Sequence, residues 1–428
     1  MKPHAVTSET VLVVGGGVSG MTAALELAEC GHDVVLVEKT ATLGGRTALL
    51  YRYFPKLCHP TCGLEINLRR LRASTRVRVL TLAEVTAIEG VPGDYRVGLR
   101  IAPRYVNERC TACGACAEAV AATIPDPWNY GLRRIKAAYL PHPMAYPQRY
   151  VLDPSLIGTA EAEKARAACP VGAIDLEMRE ERLELRVGAI VWATGWKPYD
   201  AVRIQPYGYG RFANVITSVE FERLADPHGP TGGRIVRPSD GREAKDVAFI
   251  QCAGSRDENH LRHCSRICCM ASLKHTQFLR EAWGDEARST IYYIDIRAID
   301  RFEDFYRRVR EDATVRFVKS KVARIEEDRA TRDPILHGVD TEGYHRYANR
   351  HDLVVLAIGM EPEAPAGRLA PLVPGNASDF VAPVAEGSAV FAAGCAADAL
   401  DVNRAVQSAT AAAMRALQVV RRSAGVER

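Results

Sequence analysis

The N-terminal part of the chain contains the pattern that most restricts its fold. An apolar stretch, residues 10–14, is followed by the turn Gly15-Gly16-Gly17-Val18-Ser19-Gly20, an alanine-rich stretch to residue 29 and a second apolar stretch that ends in Glu38. A G-x-G-x-x-G sequence alone is a weak signal, but here it has the strand, helix and acidic residue of a dinucleotide-binding domain around it. Such glycines permit a sharp turn and a close approach of a pyrophosphate to the helix N-terminus. The sequence therefore predicts an α/β dinucleotide-binding domain, with Glu38 on a ribose hydroxyl.

Three later stretches indicate that the dinucleotide is FAD. Leu43-Gly44-Gly45-Arg46 resembles the second glycine pair of flavoproteins with two dinucleotide-binding domains, of the thioredoxin and disulfide reductase type. An apolar strand, residues 190–192, runs into an Ala-Thr-Gly turn, and residues 390–395 precede a helix whose N-terminus would stabilise negative charge on a reduced flavin. We expect a Rossmann-like flavoprotein of this type. The candidate FAD-binding residues are Gly15, Gly17, Ser19, Gly20, Glu38, Lys39, Gly45, Arg46, Val85, Ala193, Thr194, Gly195, Gly394, Cys395, Asp401 and Val402.

An insertion, residues 102–185, separates two parts of the predicted flavin domain and contains a reduced ferredoxin pattern. In two-cluster bacterial ferredoxins each motif reads C-x2-C-x2-C-x3-C-P, and its fourth cysteine ligates the other cluster. Here Val120 replaces the fourth cysteine of the first motif, and the second motif keeps only the cysteine before Pro170. The remaining cysteines form one complete ligand set: Cys110, Cys113, Cys116 and Cys169. We expect an inserted ferredoxin-like module with one [4Fe-4S] cluster, and zinc is the alternative. Residues 125–154, rich in Tyr and Pro, read as a loop excursion.

A second group of cysteines lies between residues 251 and 274, and we call it the second cysteine group. Residues 246–251 read as a buried strand, so a strand end, a loop and a helix start would bring together Cys252, Cys264, Cys268 and Cys269. Four thiolates can hold a [4Fe-4S] cluster. Small core residues and a zinc site are the alternatives, although an adjacent cysteine pair suits zinc poorly. Flavoproteins of this type that use NAD(P)H have a glycine-rich turn at this position, and here the second cysteine group occupies it. We therefore expect no NAD(P)H binding at this site.

Net charge, apolar segments and cysteine count indicate the compartment in which the protein acts. A net charge of +4 with nearly balanced acidic and basic residues gives no indication of nucleic-acid binding. We expect no transmembrane segment and no signal peptide, hence a reducing cytoplasm in which 12 cysteines indicate metal or redox chemistry. The predicted FAD-binding domain comprises residues 1–101, 186–243 and 347–428, interrupted by the module at 102–185. A second, nucleotide-binding-like domain, residues 244–346, would carry the second cysteine group.

Cys58 and Cys62 form a third cysteine pair, just after the first predicted flavin contacts. Flavin disulfide reductases usually carry their redox pair as C-x4-C, whereas this pair is C-x3-C with Pro60 between the cysteines. A redox dithiol and a turn with two unreactive thiols stay open as interpretations, as does a position near a cluster or a partner surface.

Taken together, these motifs resemble those of the A-subunit family of heterodisulfide reductases. In that family a cysteine-rich segment, here C-x11-C-x3-C-C-M-x3-K, holds an unusual [4Fe-4S] cluster beside the flavin. The resemblance implies that the four residues of the second cysteine group are its ligands, and that Lys274 is a catalytic cation close to flavin N5. Residues 53–67 and 235–240 are most similar to the A-subunit of the quinone-interacting membrane-bound oxidoreductase complex.

The resemblance also implies a function and partners. The chain would be a cytoplasmic oxidoreductase subunit with FAD and two [4Fe-4S] clusters, attached to the inner face of the membrane through a second flavin/iron–sulfur subunit and a membrane haem subunit. It would relay electrons between adenylylsulfate (APS) reductase, an enzyme of sulfur metabolism, and the quinone pool. Three alternatives stay open: an electron-bifurcating subunit of the heterodisulfide reductase kind, a disulfide reductase that uses Cys58 and Cys62, and a scaffold with vestigial cofactors.

Overall fold

The computed structural model describes residues 9–363, 369, 372–382 and 388–426. Residues 1–4, where the sequence predicts no signal peptide, lie outside this range. The chain divides into two compact units. The first unit comprises Met1–Ala48, Thr61–Trp196 and Pro362–Arg428, and the second comprises Leu49–Pro60 and Lys197–Glu361.

Short strands and few helices make up both units. The helices are α1 (Val18–Glu29), α2 (Thr61–Ala73), α3 (Ala115–Ala119), α4 (Ala160–Ala168), α5 (Ser218–Ala225), α6 (Cys268–Trp283), α7 (Glu303–Arg310) and α8 (Val402–Val426). The strands are β1 (Val11–Val14), β2 (Val34–Glu38), β3 (Val77–Thr81), β4 (Ala83–Val91), β5 (Asp94–Ile101), β6 (Thr123–Pro125), β7 (Arg134–Lys136), β8 (Ala138–Tyr139), β9 (Val151–Leu152), β10 (Glu181–Val187), β11 (Ala189–Trp192), β12 (Trp196–Pro198), β13 (Val215–Thr217), β14 (Asp246–Ala253), β15 (Arg288–Tyr293), β16 (Val315–Lys319), β17 (Arg324–Glu327), β18 (Pro334–Asp340), β19 (His345–Arg350), β20 (Leu353–Ile358), β21 (Met360–Pro362) and β22 (Val390–Ala392).

The first unit is built on a five-stranded sheet in the order β22-β11-β1-β2-β3, and every neighbouring pair in it is parallel. Strands β1, β2 and β11 are buried along their whole length. Their continuous apolar sequences, such as Val-Leu-Val-Val in β1, are typical of parallel strands covered on both faces. Helices α1 and α8 pack on each other through buried alanines, which let two helices approach closely.

The insertion is connected to the ends of two neighbouring strands of a second, antiparallel sheet, β10-β5-β4. The chain departs after Ile101 at the end of β5 and returns at Glu181 at the start of β10, and these two residues are direct partners across the strands. Helices α3 and α4, with the strand pairs β6-β7 and β8-β9, enclose a core of their own that includes Val106, Leu152 and Ile174.

The second unit repeats the layered α/β plan. Its parallel sheet has the order β13-β20-β14-β15-β16, and an antiparallel sheet, β17-β18-β19, adjoins it. The predicted FAD-binding segment 347–428 begins too early. Strand β20 pairs with β13 and β14 inside the second unit, so the chain enters the first unit again only at Pro362. The expected α/β class is confirmed by the two parallel sheets. Within the described residues, no helix combines the length and the apolar character needed to cross a membrane.

Candidate functional site

The turn after β1 is packed so tightly that Gly15 and Gly20 leave no room for a side chain. A Cβ atom on Gly15, whose φ is +108°, would lie 2.3 Å from the carbonyl oxygen of Ala193, and one on Gly20 would lie 1.7 Å from the carbonyl oxygen of Gly15. Gly45 approaches Gly17 so closely that a Cβ on Gly45 would lie 2.8 Å from the Cα of Gly17. Gly17 is also the N-cap of α1 and offers no capping side chain. The first amides of α1 are therefore suited to a phosphate, as a dinucleotide site requires.

Glu38, at the end of β2, is buried and holds this turn in place. Its Oε2 accepts a hydrogen bond from the amide of Gly16 at 2.7 Å, and its Oε1 accepts one from the amide of Thr40 at 2.8 Å. Each carboxylate oxygen has a second lone pair. The carboxylate can thus hold the turn and still accept a hydrogen bond from a ribose hydroxyl.

Lys39, Thr194 and Gly195 all interact with one residue, Glu363. Lys39 forms an ion pair with the Glu363 carboxylate, and Thr194 Oγ1 donates a hydrogen bond to the Glu363 carbonyl at 3.0 Å. The amide of Glu363 donates to the carbonyl of Gly195 at 3.3 Å. The Ala-Thr-Gly turn after β11 is thereby fixed at the same end of the parallel sheet as the glycine turn.

The start of α8 is the second helix N-terminus of this region. Asp401 is buried, and its Oδ1 accepts the amide of Arg404 at 3.1 Å, so it caps the helix that begins at Val402. Gly394 donates its amide to Ser408 Oγ at 3.1 Å, and a Cβ on Gly394 would lie 2.0 Å from Ser19 Oγ. The predicted residues Ser19, Gly394, Asp401 and Val402 therefore belong to one packed arrangement.

Two other predicted FAD residues have simpler surroundings. Cys395 Sγ donates to the carbonyl of Leu400 at 3.3 Å, and burial raises the pKa of this thiol to about 11, so it is neutral at physiological pH. Val85 pairs with Leu99 in the β4-β5 ladder, next to a shift in the strand register. A register shift leaves main-chain groups without ladder partners, which suits a main-chain contact.

A loop of the insertion contacts the predicted diphosphate loop, and the sequence did not indicate this. Arg46 donates from Nε to the carbonyl of Trp196 at 2.5 Å and stacks over its ring at 5.0 Å from the centroid. The Nη1 of Arg46 donates to the hydroxyl of Tyr130, in the insertion, at 3.2 Å. Tyr130 thus positions an arginine that we predict to bind FAD.

Tyr146 makes a second connection between the same two loops. Its carbonyl accepts the amide of Leu43 at 2.9 Å, and its amide donates to Thr42 Oγ1 at 3.0 Å. His142 Nε2 lies 3.4 Å from the same hydroxyl and stacks on Trp128, with ring centroids 4.1 Å apart. The concentration of aromatic residues in this stretch was the available signal, because such residues seldom remain in a solvated loop.

The predicted ligands in the insertion cluster at two helix ends. Cys110 and Cys113 precede α3, Cys116 lies within it, and Cys169 caps the C-terminus of α4. Main-chain amides point at two of the sulfurs: Ala112 N is 3.4 Å from Cys110 Sγ, and Ala173 N is 3.2 Å from Cys169 Sγ. Burial, together with the nearby thiols of Cys110 and Cys169, raises the pKa of Cys116 to about 11. Amide-to-sulfur bonds and neighbouring thiols are the chemistry of a cluster site.

The second cysteine group has the strand–loop–helix arrangement that we predict. Cys252 lies near the end of β14 with φ +57°, Cys264 lies in the loop, and Cys268 and Cys269 begin α6. Burial raises the pKa of Cys268 well above its ordinary value, and the other three thiols raise it further. The amide of Arg266 lies 3.4 Å from Cys264 Sγ.

Cys110 and Cys169 therefore lie close enough to influence the thiol of Cys116, and the other three thiols of the second cysteine group act on Cys268 in the same way. Across the described ranges, no three or more His, Cys, Asp or Glu side chains stand in an arrangement ready to hold a metal ion. The donor chemistry suits an iron–sulfur cluster, because its ligands are thiolates and metal binding displaces thiol protons.

Lys274 lies on α6 in a buried network of charges. Its Nζ is 2.6 Å from Glu222 Oε2 and donates to the carbonyl of Arg52 at 2.8 Å, and its side chain is only 2 % exposed. His275 Nε2 donates to the same Glu222 oxygen at 2.6 Å. Burial lowers the pKa of Lys274 and of His275, and Glu222 partly offsets both effects. Burial alone would raise the pKa of Glu222, but Lys274 and His275 outweigh it and lower this pKa to about 2.

The same carboxylate anchors the segment of residues 49–60. Glu222 Oε1 accepts the amides of Tyr51 at 2.8 Å and Arg52 at 3.2 Å, and the neighbouring Arg223 donates to the carbonyl of Leu49 at 2.9 Å. Glu222 was not identified from the sequence, because its partners are 53 and 171 positions away.

Cys58 and Cys62 are exposed free thiols, and the boundary between the two units falls between them. Cys58 uses its carbonyl to accept the amide of Tyr53 at 2.8 Å.

Comparison with known proteins identifies the fold and the family. A family model described as FAD dependent oxidoreductase matches residues 10–58. The thioredoxin reductases of T. acidophilum and Lactococcus lactis superpose with TM-scores of 0.52 and 0.53 at 11% and 14% identity, covering 98% and 97% of this chain and 100% and 99% of theirs. The bacillithiol disulfide reductase of Bacillus cereus gives 0.52 at 14% identity, covering 97% of this chain and 99% of its own. These confirm the predicted fold of a flavoprotein with two dinucleotide-binding domains.

Curated relatives share much more of the sequence. The chain is 37% identical over 96% of its length to the A-subunit of the ferredoxin/F420H2-dependent CoB-CoM heterodisulfide reductase of Methanosarcina acetivorans, of which it covers 53%. It is 39% identical over 85% of its length to the iron-sulfur A-subunit of the CoB–CoM heterodisulfide reductase of Methanocaldococcus jannaschii, of which it covers 56%. The chain thus spans about half the length of the curated relatives it matches. At this level of identity, over nearly all of its own length, the chain belongs to the heterodisulfide reductase A-subunit family of flavin-dependent oxidoreductases.

Proposed function

We propose that this chain is an electron-transfer subunit with FAD and two [4Fe-4S] clusters. The observation that carries the proposal is the presence, in one flavoprotein fold, of two separate sets of four cysteines. In each set neighbouring thiols raise the pKa of one cysteine, Cys116 or Cys268, and a main-chain amide approaches a sulfur. FAD exchanges electrons in pairs and clusters exchange them singly, so together they convert one kind of transfer into the other.

The chain's own residues have distinct tasks in this proposal. The amides at the start of α1 bind the diphosphate, Glu38 binds a ribose, and the start of α8 stabilises negative charge on the flavin ring. Lys274 adds a cation that favours the reduced flavin, as the family resemblance implies. The inserted module at 102–185 and a second, nucleotide-binding-like domain belong to the same proposal, the second domain with the bounds of the second unit.

The proposal includes no NAD(P)H site, and the packing of the turn after β14 supports this expectation. A Cβ on Gly254 would lie 2.4 Å from the Tyr199 ring, and Ser255 and Ser265 share a hydrogen bond at 2.6 Å. The space that a glycine-rich turn leaves for a pyrophosphate in other dinucleotide-binding domains is here used by side chains and by the second cysteine group.

The electron partners that we propose are APS reductase and the quinone pool. The chain would act in the cytoplasm, held to the inner face of the membrane through a second flavin/iron–sulfur subunit and a membrane haem subunit. The support is the similarity of residues 53–67 and 235–240 to the corresponding subunit of the quinone-interacting complex.

A second candidate is an electron-bifurcating subunit of a heterodisulfide reductase. It is favoured by a relative from Methanothermobacter marburgensis, the A-subunit of an H2:CoB-CoM heterodisulfide,ferredoxin reductase, which is 36% identical over 83% of this chain. The name of that relative joins two electron acceptors. Ferredoxin reduction that depends on the simultaneous reduction of a second acceptor would select this candidate, and electron transfer from quinol to APS reductase would select the relay.

The test is the iron and acid-labile sulfide content per FAD in anaerobically purified protein. We expect about eight irons per FAD in the wild type and about four in both Cys113→Ser and Cys264→Ser, because each removes one ligand of a four-iron cluster. Cys30→Ser, which changes an exposed cysteine outside both sets, is the matched control and should keep all of the iron.

Each other outcome has a defined meaning. About four irons in the wild type, unchanged by Cys113→Ser, would show an empty insertion and remove one cluster from the proposal. FAD without iron would refute the relay and favour a disulfide reductase based on Cys58 and Cys62, which should then accept NAD(P)H and lose activity in Cys58→Ser.

A further inference from the structure

An arginine–aspartate pair adjoins the second cysteine group. The Nη1 of Arg256 lies 3.9 Å from Cys252 Sγ, and the same guanidinium forms an ion pair with the carboxylate of Asp295. The Arg256 side chain is 23% exposed and that of Asp295 is 46% exposed. A cation is therefore held against a predicted cluster ligand, and its own counter-ion is on the more solvated side.

Main-chain contacts position both members of the pair next to the cysteines. Arg256 has φ +56°, and its amide donates to the carbonyl of His263 at 3.1 Å, which fixes it within the cysteine loop. Asp295 follows β15, and its carbonyl lies 3.9 Å from the Sγ of Cys269. One short path of contacts thus runs from Cys252 through Arg256 and Asp295 to Cys269.

Asp295 stands where a dinucleotide-binding domain has its ribose-binding acid, just beyond β15, the strand that follows β14 and α6 along the chain. Its carboxylate is here directed at Arg256, and Arg297 Nε approaches its other oxygen at 3.4 Å. An acid that elsewhere recognises a nucleotide is therefore used in a charge pair at the cysteines.

We propose that Arg256 and Asp295 are positioning residues that set the redox potential of the cluster bound by the second cysteine group. The inference rests on the proposed function, since it requires that cluster. When a cluster takes up one electron it gains one negative charge and no bond is made or broken. The Arg256 cation stabilises that charge and raises the potential, and the Asp295 carboxylate reduces this effect.

The experiment measures the midpoint potentials of both clusters in the loaded full-length protein by EPR, with dithionite as the electron source. Arg256→Gln should shift the potential of the second cysteine group downward, and Asp295→Asn should shift it upward. The double variant should fall between them, and Arg256→Lys, which keeps the charge, should stay near the wild type. The insertion's cluster, assigned by its loss in Cys113→Ser, is an internal reference and should not move.

Arg262→Gln is the matched control, since it removes an exposed arginine of the same loop. A shift in this variant as large as in Arg256→Gln would refute a specific pair. Unchanged potentials in both Arg256→Gln and Asp295→Asn, or shifts in the same direction, would refute the inference and leave the proposed clusters intact. Should Arg256→Gln fail to load iron, Asp295→Asn alone decides by the sign of its shift. Wild-type protein without iron in the second cysteine group would refute that cluster, and with it this inference.

Discussion

Glu222 offers the sharpest test of how the second unit is held together. We consider the substitution Glu222→Gln, which is nearly isosteric but removes the charge. In the folded protein Oε2 of the Glu222 carboxylate lies 2.6 Å from both Lys274 Nζ and His275 Nε2. Its Oε1 accepts hydrogen bonds from two main-chain amides. The amide side chain can still accept the two amides. Its only oxygen then lies on the side of those amides, so its NH2 group faces Lys274, whose cation is buried without a counter-charge.

The expected cost follows from the burial of the pair. The side chains of Lys274 and Glu222 are 2% and 5% exposed, so water cannot compensate for the lost charge. Breaking a buried ion pair by removing one partner costs about 3–5 kcal/mol. Arg52 and Glu281 form a matched pair in the same unit, but Glu281 is 49% exposed. Glu281→Gln should therefore cost at most about 1 kcal/mol.

Urea denaturation at pH 7 measures both free energies of unfolding by linear extrapolation. A third variant separates charge from packing: Glu222→Gln combined with Lys274→Met removes both charges and should recover much of the loss, because paired apolar replacement of a buried ion pair is often nearly neutral. A loss in Glu222→Gln no larger than in Glu281→Gln would refute the reasoning. So would a double variant that is less stable than either single variant.

The remaining predictions concern pH and FAD. Because the pKa of Glu222 is lowered from 4.5 to about 2 on folding, its contribution to stability is complete above about pH 5 and is lost as the pH falls toward 2; the free energy of unfolding should decline over this range, and less steeply in Glu222→Gln. Gly45→Ala should lower the FAD content of purified protein several-fold, because the added Cβ would collide with the neighbouring glycine turn. Gly63→Ala is the control: Gly63 has open space around it in α2, so this variant should retain FAD and gain up to about 1 kcal/mol of stability. Tyr130→Phe removes the hydroxyl that holds Arg46 and should speed FAD release, measured by flavin fluorescence, by about tenfold if the bond contributes about 1.4 kcal/mol; an unchanged release rate would show that the insertion does not support the cofactor site.

The local parts of the fold and site could be predicted from the sequence, and the long-range parts could not. The glycine turn, Glu38 and the start of α6 at Cys268 follow from spacing within a few residues, because strand, turn and helix each have a fixed period. Glu222 reads in the sequence as one more helical acid. Only the folded chain brings it to Lys274, since no periodicity links positions so far apart.

The same reason explains the difference at β20. Its sequence correctly indicates a buried parallel strand. The sheet that such a strand joins is set by its neighbours, here β13 and β14. An apolar sequence alone does not indicate which strands these neighbours are. Likewise, nothing in the spacing of Tyr130 or Tyr146 shows that they reach Arg46 and Leu43.

The junction of the insertion has an evolutionary consequence. Ile101 and Glu181 face each other across β5 and β10, so the two strands would close as an ordinary hairpin if a short turn replaced everything between them. A simpler ancestral flavoprotein could therefore acquire the whole cysteine module in a single genetic insertion, without any change in sheet register. The later contacts of Tyr130 and Tyr146 with the glycine loop would then make the acquisition difficult to reverse. The insertion would thereby have changed from a dispensable segment into one that the FAD site requires.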